Sequence, residues 1–169
     1  MVKKLMIGAV VLIAAGAAVA YVQRHEITLA MIEKVASKRM QDPIAALSDG
    51  LHVGLCGTGS PFPDPDRAAP CTLVIAGKDM FLFDAGSAAA KQISTMGFST
   101  GQLKGVFITH FHSDHIDGLG EVLMTRWAQH TAGQKLTVHG PSGIQKVMKG
   151  FETAYQQDTG YRTAHHGEA

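Results

Sequence analysis

The sequence predicts a layered α/β domain, on three observations. From Leu51 onward, short apolar runs are separated by glycine-rich turns, the pattern of strands. The second and third runs are joined only by Gly77-Lys78, which is hairpin spacing. Later runs alternate with segments that are apolar at helical intervals. An antiparallel start followed by strand and helix alternation places helices against one sheet.

Composition bounds the function classes. A chain of 169 residues, 46% hydrophobic and 17% charged, can hold one ordinary globular domain, and it excludes a disordered chain, a collagen-like repeat and a disulfide-dense miniprotein. A formal charge of +1 supplies no electrostatic reason to expect nucleic acid as a partner. Nine histidines are many for this length.

Residues 1–22 read as a signal peptide or a membrane anchor. Lys3 and Lys4 precede an apolar run, and Ala18-Val19-Ala20 has the small-x-small form of a cleavage site. Left uncleaved, Leu5 to Val22 is uncharged for 18 residues, just enough to cross a bilayer. Either reading places the remainder outside the cytoplasm, in the periplasm of a bacterial source, with the membrane as a partner only if the segment is retained. Cleavage after Ala20 would leave a formal charge of −1.

Residues 23–50 read as an amphipathic helix and a linker. Ile27, Met31, Ile32, Val35 and Ala36 share helical spacing, with Thr28 as a possible cap, Asp42-Pro43 as the stop and 47–50 as linker. Strands follow at 51–56, 71–76 and 80–84, the first two separated by a loop with four prolines. A helix over 87–96 leads to a buried strand at 105–109. Beyond it, Ile116, Leu119, Val122, Leu123 and Trp127 share one helical face, and 136–139 is a strand. Pro141 opens a last helix with Ile144, Val147, Met148, Phe151 and Tyr155 inward. Cys56 and Cys71 fit either a disulfide or two separately buried thiols.

The chemistry is concentrated in His110-Phe111-His112-Ser113-Asp114-His115, directly after a buried strand. Imidazole nitrogen and carboxylate oxygen are the ligand set of zinc, and a short loop held by a strand can aim several at one point. His110 and His112 alternate as strand-end residues do and could share one ion, which leaves Asp114 and His115 to face a second position. An exposed polar loop would explain one histidine but not three beside an aspartate at this spacing. Asp114 also suits the cap of a following helix.

This motif resembles the signature of the metallo-β-lactamase-fold hydrolases. Phe81-Leu82-Phe83-Asp84-Ala85-Gly86 resembles that superfamily's earlier motif. Gly57-Thr58-Gly59-Ser60-Pro61 with Arg67, Gly118-Leu119 and 138–143 resemble its ribonuclease Z and arylsulfatase-like branch. The resemblance implies an αββα sandwich of which residues 51–169 supply roughly the N-terminal half. It implies two zinc ions per complete domain, with His110 and His112 on one, Asp114 and His115 on the other, and Asp84 behind them. Asp114 is also the implied catalytic residue, and the glycines at 57 and 59 form a tight loop near the pocket floor.

The family closes its sites with a further histidine, a bridging aspartate and a last histidine, which nothing after His115 resembles. His165-His166-Gly167-Glu168 reads as an ordinary polar segment, His25 and His130 as surface residues, and His139 as a strand-end residue with a substrate-side role as the alternative. The chain is therefore expected to be the N-terminal part of a longer protein. Three functions follow. The first is an exported zinc hydrolase whose metal-activated water attacks a small anionic ester, an aryl sulfate or a phosphodiester. The second is a ribonuclease Z-like phosphodiesterase that processes tRNA 3′ ends. The third is a non-catalytic, membrane-tethered metal-binding protein, if the chain ends at 169.

Overall fold

The computed structural model describes residues 6, 13, 16–17, 19–39, 42–129 and 135–166. Most of the expected signal or anchor segment lies outside the described residues, as does His130. Among the described residues no helix is long and apolar enough to cross a membrane.

The chain divides into two compact units, Met1–Gln41 and Asp42–Ala169. The first contains helix α1, Arg24–Arg39. Thr28 does not cap it: its hydroxyl donates to the Arg24 carbonyl at 2.7 Å from within the first turns. The side chains of Ile27, Met31, Ile32 and Val35 are exposed.

The second unit is a five-stranded sheet, in spatial order β1 (Leu51–Gly57), β2 (Cys71–Ala76), β3 (Asp79–Phe83), β4 (Leu103–Phe107) and β5 (Thr137–His139). β1, β2 and β3 pair antiparallel, and β4 and β5 continue in parallel. Gly77, at φ 60°, makes the two-residue hairpin turn possible, because a left-handed first position matches the twist of the strands. The parallel strands need crossovers, which helices supply: α2 (Ala89–Thr95), then α3 (Ser113–Ile116) and α4 (Leu119–Gln129). Helix α5, Ile144–His166, follows β5.

One sheet face carries the core. Cys71, Leu73, Ile75, Met80, Leu82, Leu103 and Val106 are buried there with Ile93 of α2 and Leu119 and Val122 of α4. Val147, Met148 and Phe151 pack against it. Between Met80 and Phe81 the register with β4 slips, which leaves Lys104 turned out to solvent while Leu103 and Val106 stay inward. The Asp42-Pro43 stop and the 47–50 segment, read from the sequence as the end of the helix and a linker, pack with this unit instead. Ile44 is buried in the core, and Lys78 donates to the carbonyls of Ile44, Ala45 and Leu47.

The other face is open. Leu51, Val53 and Leu55 are 62–70% exposed, and their cross-strand neighbours carry Val74, Phe81, Phe83 and Phe107 onto the same side. Phe83 and Phe107 stack at 4.9 Å between ring centroids, and His139 stacks on Phe107 at 4.7 Å. An apolar sheet face of this kind is the surface a second layer covers.

The single helix expected after the histidine motif is broken at Asp117-Gly118. A Cβ at Gly118 would collide with the Gly86 carbonyl, and one at Gly86 with that of Asp114. Only glycines allow the two segments to approach so closely. The Gly118 N–H donates to the Ala85 carbonyl at 2.9 Å, and that of Ala85 to the His115 carbonyl at 2.9 Å. Cys56 and Cys71 form a disulfide that joins the ends of the 57–70 loop.

Candidate metal centre

The site lies where β3 and β4 end side by side. After Phe83 the chain turns sharply at Asp84, whose φ of 57° is left-handed, a conformation aspartate tolerates better than most residues. The turn is fixed by the Asp84 N–H donating to the Phe107 carbonyl at 2.8 Å. It buries the side chain, 11% exposed, under the histidine loop.

That carboxylate organises the cluster. It accepts from the Thr109 backbone N–H at 2.8 Å, from the Thr109 hydroxyl at 2.9–3.0 Å, and from His115 Nδ1 at 2.7 Å. A carboxylate only accepts, so His115 carries its proton on Nδ1 and presents a bare Nε2. The Thr109 hydroxyl has one proton and gives it to Asp84. It therefore accepts from His110 Nδ1, 3.0 Å away, and His110 also presents a bare Nε2.

The donors come in two pairs. His110 Nε2 lies 3.0 Å from His112 Nδ1, close to the roughly 3.3 Å separating two nitrogens on one tetrahedral zinc at 2.0–2.1 Å. His115 Nε2 lies 3.6 Å from Asp114 Oδ2. The pairs adjoin, with the His110 and His115 rings 4.1 Å apart between centroids. Asp114 is buried in the short α3 while His112 is exposed ahead of it. Among the described residues no three such side chains are arranged around a single point. Each pair could offer two donors to an ion, and the donor chemistry fits zinc, since each bare nitrogen faces the other member of its pair.

All five residues singled out in the sequence, Asp84, His110, His112, Asp114 and His115, come together here. Thr109 was missed, and its only sequence signal is its place directly before the first histidine. His139 is on the open sheet face, stacked on Phe107, with its carbonyl accepting from the Ile108 N–H at 2.8 Å. A cleft of about 450 Å³ borders Asp114, between the 60–69 loop and the start of α2, with Arg67, Lys91 and Asp117 among its walls. The Gly59 N–H holds the base of that loop to the Ala68 carbonyl at 2.7 Å.

Residues 51–149, which contain the whole cluster, match the family described as anti-Pycsar protein Apyc1. The chain belongs to this family. It is also 44% identical over 120 residues to "Ribonuclease Z" of Mycobacterium bovis, covering 70% of this chain and 43% of that protein. Among solved structures, human tRNase Z, short form, is 29% identical with a TM-score of 0.56, covering 62% of this chain and 39% of that one. The metallo-β-lactamase fold protein YhfI of Bacillus subtilis is 26% identical with a TM-score of 0.51, covering 60% and 41%. The Apyc1-family chain therefore has the metallo-β-lactamase fold, and it spans less than half the length of the curated relatives it matches. In such an arrangement a second sheet would face the open side described above.

Proposed function

We propose that the complete protein is a metal-dependent phosphodiesterase of the ribonuclease Z type. One observation carries this reading: two adjoining donor pairs, His110 with His112 and Asp114 with His115, are held by one carboxylate in a chain 44% identical to a ribonuclease Z. His110 and His112 would hold one zinc ion, and Asp114 and His115 a second. Zinc, when bound, supplies Lewis acidity and a water of lowered pKa. The chain's own residues do the rest. Asp84 fixes the tautomer of His115 directly and that of His110 through Thr109, so neither ring spends binding free energy on reorientation. The cleft beside Asp114 would admit the substrate, with Arg67 and Lys91 available to an anionic group.

The relatives favour RNA as substrate over the aryl sulfate expected first from the sequence. A second reading, an exported hydrolase of small phosphodiesters, is supported by the Cys56–Cys71 disulfide, because such bonds persist in oxidising compartments. The acids Asp64, Asp66 and Asp117 around the cleft also make a poor track for a polyanion. Turnover of the full reading frame on precursor tRNA, a bis-aryl phosphate and an aryl sulfate separates these. Cleavage of tRNA supports the first reading, the bis-aryl phosphate alone supports the second, and activity on neither phosphodiester would end both.

A further inference from the structure

At the opposite end of β4 from the histidines, Arg126 of α4 is only 5% exposed. Its Nε donates to the Leu103 carbonyl at 3.1 Å. Among the described residues the two remaining nitrogens of the guanidinium have no hydrogen-bond partner, and no acid lies within ion-pair distance. These nitrogens still reach the solvent of the adjoining pocket, but a charge this nearly buried without a counter-charge is costly, and arginine is seldom buried unless paired. Burial pushes the pKa of this guanidinium down, as expected where desolvation is not offset.

The side chain is in the wall of a pocket of about 440 Å³, with Asp42, Lys78, Gly101, Gln102 and Lys104. The one carboxylate makes no ion pair with these cations: Asp42 Oδ1 accepts from the Ile44 N–H at 3.0 Å and from Gln102 Nε2 at 2.6 Å. Lys78 is turned onto three carbonyls, so its charge is present but meets no acid. Lys104 is exposed at the rim, put there by the register slip in β4. Three cations and one carboxylate thus surround a space with free guanidinium N–H groups.

We propose that this pocket is a second, non-catalytic binding site for a phosphate-class oxyanion. The planar fork of Arg126 can hold two oxygens side by side, and Lys104 can close over a third. The excess of positive charge favours a multiply charged oxyanion over a single carboxylate. The site is roughly 20 Å along the strand from the histidine cluster. It is independent of whether that cluster is catalytic.

The test is titration of the full-length protein with inorganic phosphate at constant ionic strength, followed by the ¹⁵N–¹H signal of the Arg126 Nε group, which is assigned by through-bond correlation along the Arg126 side chain. The expected result is a saturable shift that persists when His112→Ala and Asp114→Ala remove binding at the metal centre, and that needs about tenfold more phosphate in Lys104→Gln. A shift reproduced by chloride would mean screening only and would overturn the proposal. So would the absence of any saturable shift in folded protein, which would mean that the chain itself supplies the missing carboxylate. Lys104→Gln alters an exposed side chain, so the outcome does not depend on any variant at the buried arginine.

Discussion

Asp84 Oδ2 accepts from His115 Nδ1 at 2.7 Å, while Oδ1 of the same carboxylate takes the backbone N–H of Thr109. One side chain at the end of β3 thereby fixes both the loop after β4 and the ring that faces Asp114. Asp84→Asn keeps the shape but can present an N–H where His115 needs an acceptor. Zinc affinity of the full-length protein is expected to fall about 10- to 100-fold, measured by competition with a chromogenic chelator. An unchanged affinity would show that His115 is oriented by something else.

Thr109 should act on the other pair. Thr109→Val removes the hydroxyl between Asp84 and His110 at nearly constant volume, leaving His110 free to change tautomer or rotate. Loss of roughly one charge-assisted hydrogen bond is worth about 1.5–3 kcal/mol. Thr109→Ser should restore zinc binding; a valine variant that binds as tightly as the parent would contradict the hydroxyl's role.

The disulfide contributes through the 57–70 loop. Cys56 and Cys71 are 15 positions apart, and a loop of that size constrains the unfolded chain by about 3 kcal/mol. Denaturant unfolding with and without reductant should differ by about that amount. Reduction should also loosen the wall of the cleft beside Asp114, raising KM more than it lowers kcat.

The contact between Gly86 and Gly118 sets the break between α3 and α4. Gly118→Ala should cost about 1–3 kcal/mol, because the methyl meets a backbone carbonyl that cannot swing aside. Equilibrium unfolding measures it, and a neutral substitution would mean that the two turns do not approach as closely as described.

Much of this was legible in the sequence because the signals are local. The 71–83 hairpin follows from two apolar runs around Gly77-Lys78, and the histidine loop from ligand types packed into six positions. What escaped depends on distant partners. Nothing near Gly118 announces Gly86. Nothing near Thr109 says that its hydroxyl meets a carboxylate 25 positions earlier. Residues 47–50 read as linker because Ser48, Asp49 and Gly50 are turn formers, and the burial of Ile44 just before them comes from tertiary packing that no local pattern announces. The register slip that exposes Lys104 likewise follows from pairing with β3 rather than from β4 itself.

The central claim is that His110, His112, Asp114 and His115 hold the metal on which hydrolysis depends. It is tested most directly by measuring zinc content and phosphodiester turnover together, in the full-length protein and in its His112→Ala, Asp114→Ala double variant. These substitutions remove one member from each pair. The expected result is a folded variant depleted of zinc, with turnover reduced by at least about three orders of magnitude. A variant that retains both its zinc and its hydrolysis would contradict the account.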